Sequence, residues 1–463
     1  MFIDINTIPH GAKLIINQLN KHGYKAYLVG GCVRDSIMGL KPHDWDICTS
    51  AKPEQVMPLF SHVLPTGIKH GTVTVETMTE HYEVTTFRID GNYSDGRRPD
   101  DVEFTSEIVQ DLSRRDFTIN AIALDISTGS LIDPFNGYSD INSKLIKCVG
   151  NPNHRFKEDG LRILRAIRFA AKYEFYIESD TINAMVSNKN NLKNISNERI
   201  CSEITKILQS RHPDYIMNYP PKILCEIVPE FIPTVDYNQH SIWHNRTLYN
   251  HMSFALSAAG DLYDQGENYD LITNLAIMFH DISKPECKTE DEEGHYHFKG
   301  HGKISAETTE KILKRLRFDN KTITEVVQLI YYHDSTIDVT KKSIKRWLNK
   351  LGLVQFKRLL NVRICDIIAQ NPDYLVKRYE KVENIKQLTQ KIIEENNCFT
   401  IKDLAINGKD IIETGIKEGK KIGIILNQLL DIVIEDPTKN KDYILLRYVE
   451  DWKTNTINID KSH

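Results

Sequence analysis

Hydrophobic and polar positions alternate in two different ways along the chain. Up to about residue 145, short β-rich runs mix with short amphipathic ones. Lys13 to His22 predicts a helix, and Tyr24 to Val29 predicts a strand that ends at Gly30-Gly31. Thr72 to Thr77 and His81 to Ile89 predict the two arms of a hairpin. From Phe156 onward, apolar residues recur every three or four positions, as in Leu161, Leu164, Ile167 and Phe169, and later Leu313, Leu316, Val326, Leu329 and Ile330. Breaks fall at Pro220-Pro221, at Pro229 to Pro233, around Gly260 to Asn268 and at Glu290 to Gly294. The pattern predicts an α+β protein: an α/β head over 1–145, a helical connector over 146–215, a separate helical domain over 240–370 and a helical tail over 371–463. It shows no internal repeat and no low-complexity segment.

Composition narrows this only slightly. The chain has 463 residues, 40% hydrophobic and 26% charged, enough for several domains with their own cores. A formal net charge of -4 neither supports nor excludes a nucleic-acid partner, because only the face that meets phosphate must be basic. The 8 cysteines form no CxxC pair, which suits reduced thiols. No signal peptide is legible at the amino terminus, and no apolar run is long enough to span a bilayer, so the expected location is the cytoplasm, with no membrane partner. The oligomeric state is left open.

The candidate chemistry begins after the first strand. In Gly30-Gly31-Cys32-Val33-Arg34-Asp35, paired glycines before a helix let backbone N–H groups approach a phosphate, with Gly31 the nearer candidate, and Arg34 can add a bidentate contact. The pair alone suits a plain tight turn equally. In His43-Asp44-Trp45-Asp46-Ile47, two carboxylates on an extended segment face one way with no Lys or Arg beside them. Asp44 and Asp46 then fit a divalent cation, and Mg²⁺ takes one or two carboxylates together with substrate phosphates. Glu83, flanked by Tyr82 and Val84, is a third candidate carboxylate, although one solvated face of an edge strand would also explain it. Farther on, Glu158-Asp159-Gly160-Leu161-Arg162 is expected to open a helix that continues through Arg165 and Arg168, with Asp159 and Arg162 neighbours on one face.

The run GGCVRDSIMGLKPHDWDI resembles the opening signature of the nucleotidyltransferase head shared by tRNA nucleotidyltransferases and bacterial poly(A) polymerases, the class II branch of the polymerase-β-like superfamily. The likeness continues through PTGIKHGTVTV, EVTTFRIDGNYSDGRRPDDVEFT, DLSRRDFTINAIA, LIDPFNGYSDI and RFKEDGLRILRAIRFAA. It implies a head on a small mixed or antiparallel sheet followed by an all-α remainder. It also implies template-independent addition of CCA to the 3′ end of tRNA from CTP and ATP, with Mg²⁺ at Asp44 and Asp46 and with Glu83 as the candidate third catalytic carboxylate. In the resembled family the EDxxR element reads the incoming base. Cytosine and adenine both carry an amino group beside an unprotonated ring nitrogen, which a carboxylate and a guanidinium complement, whereas guanine and uracil reverse both contacts. Asp159 and Arg162 are the expected readers. Arg165 and Arg168 are expected to reach the triphosphate or primer, and Arg114 and Arg115 to contact the nucleotide. Asp116 and Asn120 either orient those arginines or bind ribose. Gly67 to Thr72 resembles tRNA-specific members, and the loop from Asp90 to Val102, with Tyr93, Asp95, Arg97 and Arg98, has the full length that CC-only enzymes lack. Addition of A alone stays open, as does poly(A) synthesis.

A second set of residues, His251, His280-Asp281 and Asp366, follows the ligand order of HD-domain phosphohydrolases, and imidazole with carboxylate suits a divalent metal. His301 and His333 are candidates for substrate or second-metal contacts. Thr247 stands where related tRNA enzymes often carry an Asp that orients the first ligand. The tail resembles the C-terminal element of HD-bearing members and is expected to dock tRNA, with Lys402, Lys409, Lys417, Lys420 and Lys421 available for phosphates. Two rival readings are an HD phosphohydrolase with a non-catalytic RNA-binding head, and a non-catalytic RNA-binding protein.

Overall fold

A computed structural model describes residues 3–78, 80–91, 101–262, 270–395, 398–417 and 419–454. Tyr93, Asp95, Arg97 and Arg98 of the expected loop lie outside them. Contacts divide the chain into two compact units. One comprises the residues up to Val235 together with Ile312–Phe318, and the other comprises Asp236–Leu262, Asp270–Lys311 and the residues from Asp319 onward.

The first unit is built on seven strands: β1 (Ala26–Val29), β2 (Ile47–Thr49), β3 (Val63–Gly67), β4 (Thr72–Glu76), β5 (His81–Thr86), β6 (Ala123–Asp125) and β7 (Ser130–Ile132), in the spatial order β3-β4-β5-β2-β1-β6-β7. The sheet is mixed. β1 runs antiparallel to β2 with Leu28 opposite Ile47, while β2 runs parallel to β5 with Ile47 opposite Val84. The expected hairpin is β4 with β5, where Thr74 faces Glu83 and Val73 faces Val84. Alternation sets its faces: Val73, Val75, Tyr82 and Val84 are buried, and Glu83 points the other way, exposed. The first helix, α1 (His10–Lys21), buries Ala12, Ile15, Ile16 and Leu19 at helical spacing. Between β3 and β4 the chain turns at Gly71, which has φ +81°, and a Cβ there would come within 2.6 Å of the Phe104 ring.

Behind β1 comes the short helix α2 (Gly31–Ile37), and beyond the head lie α3 (Leu161–Tyr173) and α4 (Asn197–Leu208), which pack together. Two expectations change here. The connector is not all helical, because Tyr176–Ile177 pairs in parallel with Leu145–Ile146. The helix expected to open at Glu158 also breaks. One helix ends at Glu158, Asp159 is extended (φ -143°, ψ 107°), and α3 starts at Leu161. Beside the break the chain packs closely at Gly160, where a Cβ would meet the Asn191 backbone at 2.8 Å.

The second unit is helical except for a small hairpin, Thr289–Glu290 with Tyr296–His297. Its main helices are α5 (Leu248–Leu262), α6 (Leu271–Phe279), α7 (His301–Arg315), α8 (Asn320–Tyr332), α9 (Lys341–Ile368, broken at Gly352) and α10 (Leu375–Glu394). In the tail, Ile406, Ile411, Leu429, Val433 and Leu445 form a core of their own. Lys402, Lys409, Lys417, Lys420 and Lys421 are all exposed. Among the described residues no helix is long and apolar enough to cross a membrane.

Candidate active site and metal centre

A cavity of about 850 Å³ opens in the first unit beside the end of β1, and its wall includes Gly31, Arg34, Asp44, Asp46, Arg115 and Arg165. Gly30, with φ +76°, makes the turn into α2, and a Cβ there would lie 2.7 Å from the Arg115 guanidinium. Asp44 and Asp46 sit in the loop that leads into β2. Asp46 is tied to the end of β1 through its carbonyl, which accepts from the Val29 N–H at 3.1 Å. Burial pushes the Asp46 carboxyl up. Arg115 opposes that shift, and Glu83 and Asp44 add to it. Asp44 and Asp46 both line the cavity, and carboxylates of this kind suit a hard cation; Glu83, on β5, is near enough to raise the Asp46 carboxyl but is not part of the wall.

A polar relay fixes the opposite wall. Arg34, 5% exposed, donates to the Asn120 side chain, Asn120 donates to Asp116 at 3.0 Å, and Arg165 Nε donates to Asp116 Oδ2 at 2.8 Å. Burial would raise the Asp116 carboxyl, but Arg165, Asn120 and Arg162 overcome it and hold the group well below the usual carboxylate range. Asp116 and Asn120 thus hold Arg165 and Arg34 rather than the expected Arg114 and Arg115, which pair with Asp111, Arg115 also meeting the Asn120 carbonyl at 3.4 Å. Arg168 continues the wall and stacks over Phe169, with its guanidinium 4.5 Å from the ring centroid.

Other expected residues lie beside the cavity and not on its wall. Arg114 bonds Asp111 at 3.0 Å, and its carbonyl accepts from Arg162 at 3.2 Å. Asp159 accepts from the Leu161 N–H at 2.9 Å and pairs with Arg199 at 2.8 Å. Arg162 pairs with Glu158 at 2.5 Å. Because Asp159 lies outside the helix, the two do not share a helical face, and each has a partner other than the other. Lys172, Lys206, Gln209 and Ser210 also line the cavity and were not anticipated. For Lys172 a signal existed, since Arg165, Arg168, Phe169 and Lys172 form one stripe at helical spacing. Lys206, Gln209 and Ser210 come from α4 and its end, which no local pattern links to Asp46.

In the second unit, His251 on α5, His280 and Asp281 after α6, and Asp366 on α9 converge, with their ligand atoms all within 4.8 Å of one another. His251 Nε2 lies 3.1 Å from Asp366 and 3.4 Å from Asp281, and His280 Nε2 lies 3.2 Å from Asp281 and 3.6 Å from Asp366. The rings are oriented from behind. His280 Nδ1 meets the Ile277 carbonyl at 2.8 Å, and His251 Nδ1 meets the Ala369 carbonyl at 3.2 Å. With the proton placed on Nδ1, each Nε2 lone pair points into the cluster, as a metal ligand requires. The missing Asp at Thr247 is thus replaced by the Ala369 carbonyl. Burial opposes charge on His280, yet Asp281 and Asp366 push it up to about 10, so the centre is a well for positive charge. These residues fit a divalent cation. A neighbouring cavity of 470 Å³ is lined by Trp243, Lys284, Tyr296, Lys299 and Arg378, none of which the sequence pattern had singled out.

The mixed seven-stranded sheet, with a carboxylate loop facing an arginine-lined helix, defines a nucleotidyltransferase head. Residues 26–147 match the poly A polymerase head domain family, residues 174–219 the probable RNA and SrmB-binding site of polymerase A, and residues 289–449 tRNA nucleotidyltransferase domain 2. The CCA-adding enzyme of Lactobacillus helveticus is 32% identical over 441 residues, covering 94% of this chain and 96% of that protein. The enzyme of Oceanobacillus iheyensis is 49% identical over 208 residues, a stretch that spans 45% of this chain and 52% of that relative. The crystal structure of the Bacillus stearothermophilus CCA-adding enzyme in complex with CTP superposes with a TM-score of 0.66 at 27% identity, covering 96% of both chains. The chain belongs to the family of CCA-adding enzymes.

Proposed function

We propose that this chain adds CCA to the 3′ end of tRNA, taking the nucleotides from CTP and ATP without a template. The observation that carries this reading is the cavity that sets Asp44 and Asp46 against Arg34, Arg115, Arg165 and Arg168. Asp44 and Asp46, with Glu83 close by, would hold Mg²⁺, which supplies charge stabilisation to the phosphoryl group under attack. Arg34 and Arg165, held by Asn120 and Asp116, bind the triphosphate, and Arg115 keeps charge balance beside the carboxylates. Base choice falls to Asp159 and Arg162, which would exchange Arg199 and Glu158 for the edge of C or A. Arg162 lies near enough to Asp116 to shift its carboxyl, so the pair borders the cavity. Arg114 supports this turn through its carbonyl. The tail lysines are assigned to tRNA phosphates, and the protein works in the cytoplasm. Incubation with tRNA ending at the discriminator base, using CTP alone, ATP alone and both, tests the reading. Extension by CC, by nothing and by CCA is expected. Extension by A alone, or by a long A run, would replace it with A addition or poly(A) synthesis.

The segments 1–145, 146–215, 240–370 and 371–463 serve as head, base-reading connector, HD-type domain and tRNA-binding tail. A second activity is favoured by the histidine cluster. His251, His280, Asp281 and Asp366 would hold a divalent metal and make the 240–370 segment a metal-dependent phosphohydrolase. A chromogenic phosphate monoester and diester, assayed with Mn²⁺, Ni²⁺ or Mg²⁺ and after chelation, test it.

A further inference from the structure

We propose that a second cavity in the first unit, across the loop that carries Asp44 and Asp46, seats the unpaired 3′ end of the RNA, with Trp45 stacking a base and Lys41 and His43 meeting its phosphates. This rests on the reading of the first cavity as the place of nucleotide addition. The second cavity has a volume of about 1020 Å³, and its wall includes Ile3, Leu40, Lys41, Pro42, His43 and Trp45. Asp44 and Asp46 line the first cavity, and His43 and Trp45 line the second. Successive side chains of one non-helical segment thus alternate between the two. At this segment the partition is one chain thick, about 5 Å on the scale of neighbouring strands.

The free groups of the second cavity select its ligand. Among the described residues, the side chains of Lys41, His43 and Trp45 make no hydrogen bond, ion pair or ring contact. The acidic groups on the same wall are engaged already: Glu80 accepts from the Tyr82 hydroxyl, and Asp4 accepts from the Asn6 N–H at 2.9 Å. What is left open is a half-buried indole beside an ammonium and an imidazole, with Ile3, Leu40 and Pro42 as apolar lining. A planar base with an anionic phosphate satisfies all three. A purely apolar ligand would cover the ammonium without a partner, and a bare anion would leave the indole unused. Position favours an RNA strand over a free nucleotide. In-line displacement sets the attacking and leaving oxygens on opposite sides of the phosphorus. Arg34 and Arg165 hold the triphosphate in the first cavity, so the attacking 3′ hydroxyl reaches the carboxylates from the side those arginines leave free. Glu80, on the wall of the second cavity, directly precedes β5, the strand that carries Glu83. A strand with a base on Trp45 has one chain thickness to pass before its hydroxyl meets Asp44 and Asp46.

The test is photocrosslinking with the full chain. A tRNA ending in CC, with iodine at C5 of both added cytosines, is bound and irradiated, and the crosslinked residue is mapped by mass spectrometry. A crosslink to Trp45 is expected. Trp45→Ala should raise KM for tRNA about tenfold and leave KM for CTP and ATP near the parent, and Trp45→Phe should restore it, since either ring stacks a base. Lys41→Gln should make the fall of log affinity for tRNA with log salt shallower by about 0.7, the share of one phosphate of a single strand. Crosslinks confined to other residues overturn the proposal. A Trp45 crosslink from free 5-iodo-CTP that tRNA does not displace also overturns it and assigns the cavity to a free nucleotide. A parent that extends no RNA sinks the reading of the first cavity, whereas a parent that extends RNA without a crosslink at Trp45 sinks only the second.

Discussion

The two sites use charge in opposite ways. On and beside the wall of the head cavity, polar groups are partnered with one another: Arg165 with Asp116, Arg34 with Asp35 and Asn120, and Asp159 with Arg199. The carboxylates Asp44 and Asp46 stand on a loop, partly open to solvent. In the histidine cluster the ligands come from packed helices and the turns that end them. All four histidines, His251, His280, His301 and His333, have backbone carbonyls behind them, and two carboxylates share one buried space. The partners in the head can be exchanged, whereas rings fixed from behind would need little reorganisation to take up a cation, which matters because reorganisation in a buried space is costly.

This contrast can be broken from either side. The largest effect is expected in the head. Asp44→Ala or Asp46→Ala should slow nucleotide addition on the order of a thousandfold, since Lewis-acid stabilisation is worth several kcal/mol and about 1.4 kcal/mol is tenfold in rate. Their tRNA affinity should stay near normal, because phosphate contacts carry it. Single-turnover incorporation and filter binding measure the two, and near-normal turnover would remove these carboxylates from the chemistry.

His280→Ala with Asp281→Ala should abolish metal-dependent phosphate-ester hydrolysis and leave CCA addition within about twofold of the parent, an effect inside the ordinary spread of remote changes. Loss of addition in a variant with an unchanged circular dichroism spectrum would show that the two activities are coupled.

Asp116→Ala probes the relay. Removing one member of a largely buried ion pair should lower stability by about 2–3 kcal/mol, less than for a fully buried pair because Arg165 is partly exposed. Its carboxyl is depressed in the folded state, so the stabilisation is fully present above the unfolded value of about 3.9 and fades as pH falls below about 4. Urea unfolding at pH 7 and again near pH 3.5 should show the gap between parent and variant shrinking. A gap that stays constant would remove the ion pair as its cause.

The smallest effect is expected in base choice. Asp159→Ala should cost about 1–3 kcal/mol of discrimination, letting UTP and GTP compete against CTP and ATP. A change at Arg97 should instead impair the switch from C to A without admitting U or G. Incorporation of each triphosphate, on tRNA ending after the first and after the second added C, separates these results. Equal slowing of all four by Asp159→Ala would place base reading elsewhere in the cavity.

Much of this was legible in the residues alone. Alternation in Thr72–Thr77 and His81–Ile89 set the hairpin and put Glu83 opposite Tyr82 and Val84, because side chains on a strand have a strict period of two. Helical spacing marked Leu161 to Phe169 as a buried face, and the order His251, His280-Asp281, Asp366 named a ligand set before its geometry was known. Local pattern did not show the break at Asp159, nor the close approach of the Asn191 backbone to Gly160, distant in sequence. Nor could it show that Arg199 holds Asp159, that Lys206 reaches the same cavity as Asp46, or that the Ala369 carbonyl does the work expected of an Asp at Thr247. Periodicity and motif order are properties of neighbours along the chain, so the sequence by itself determined the elements, their buried faces and the chemical types at each site. Which cations and anions meet depends on contacts between segments tens to more than a hundred residues apart, and only the tertiary structure decided those.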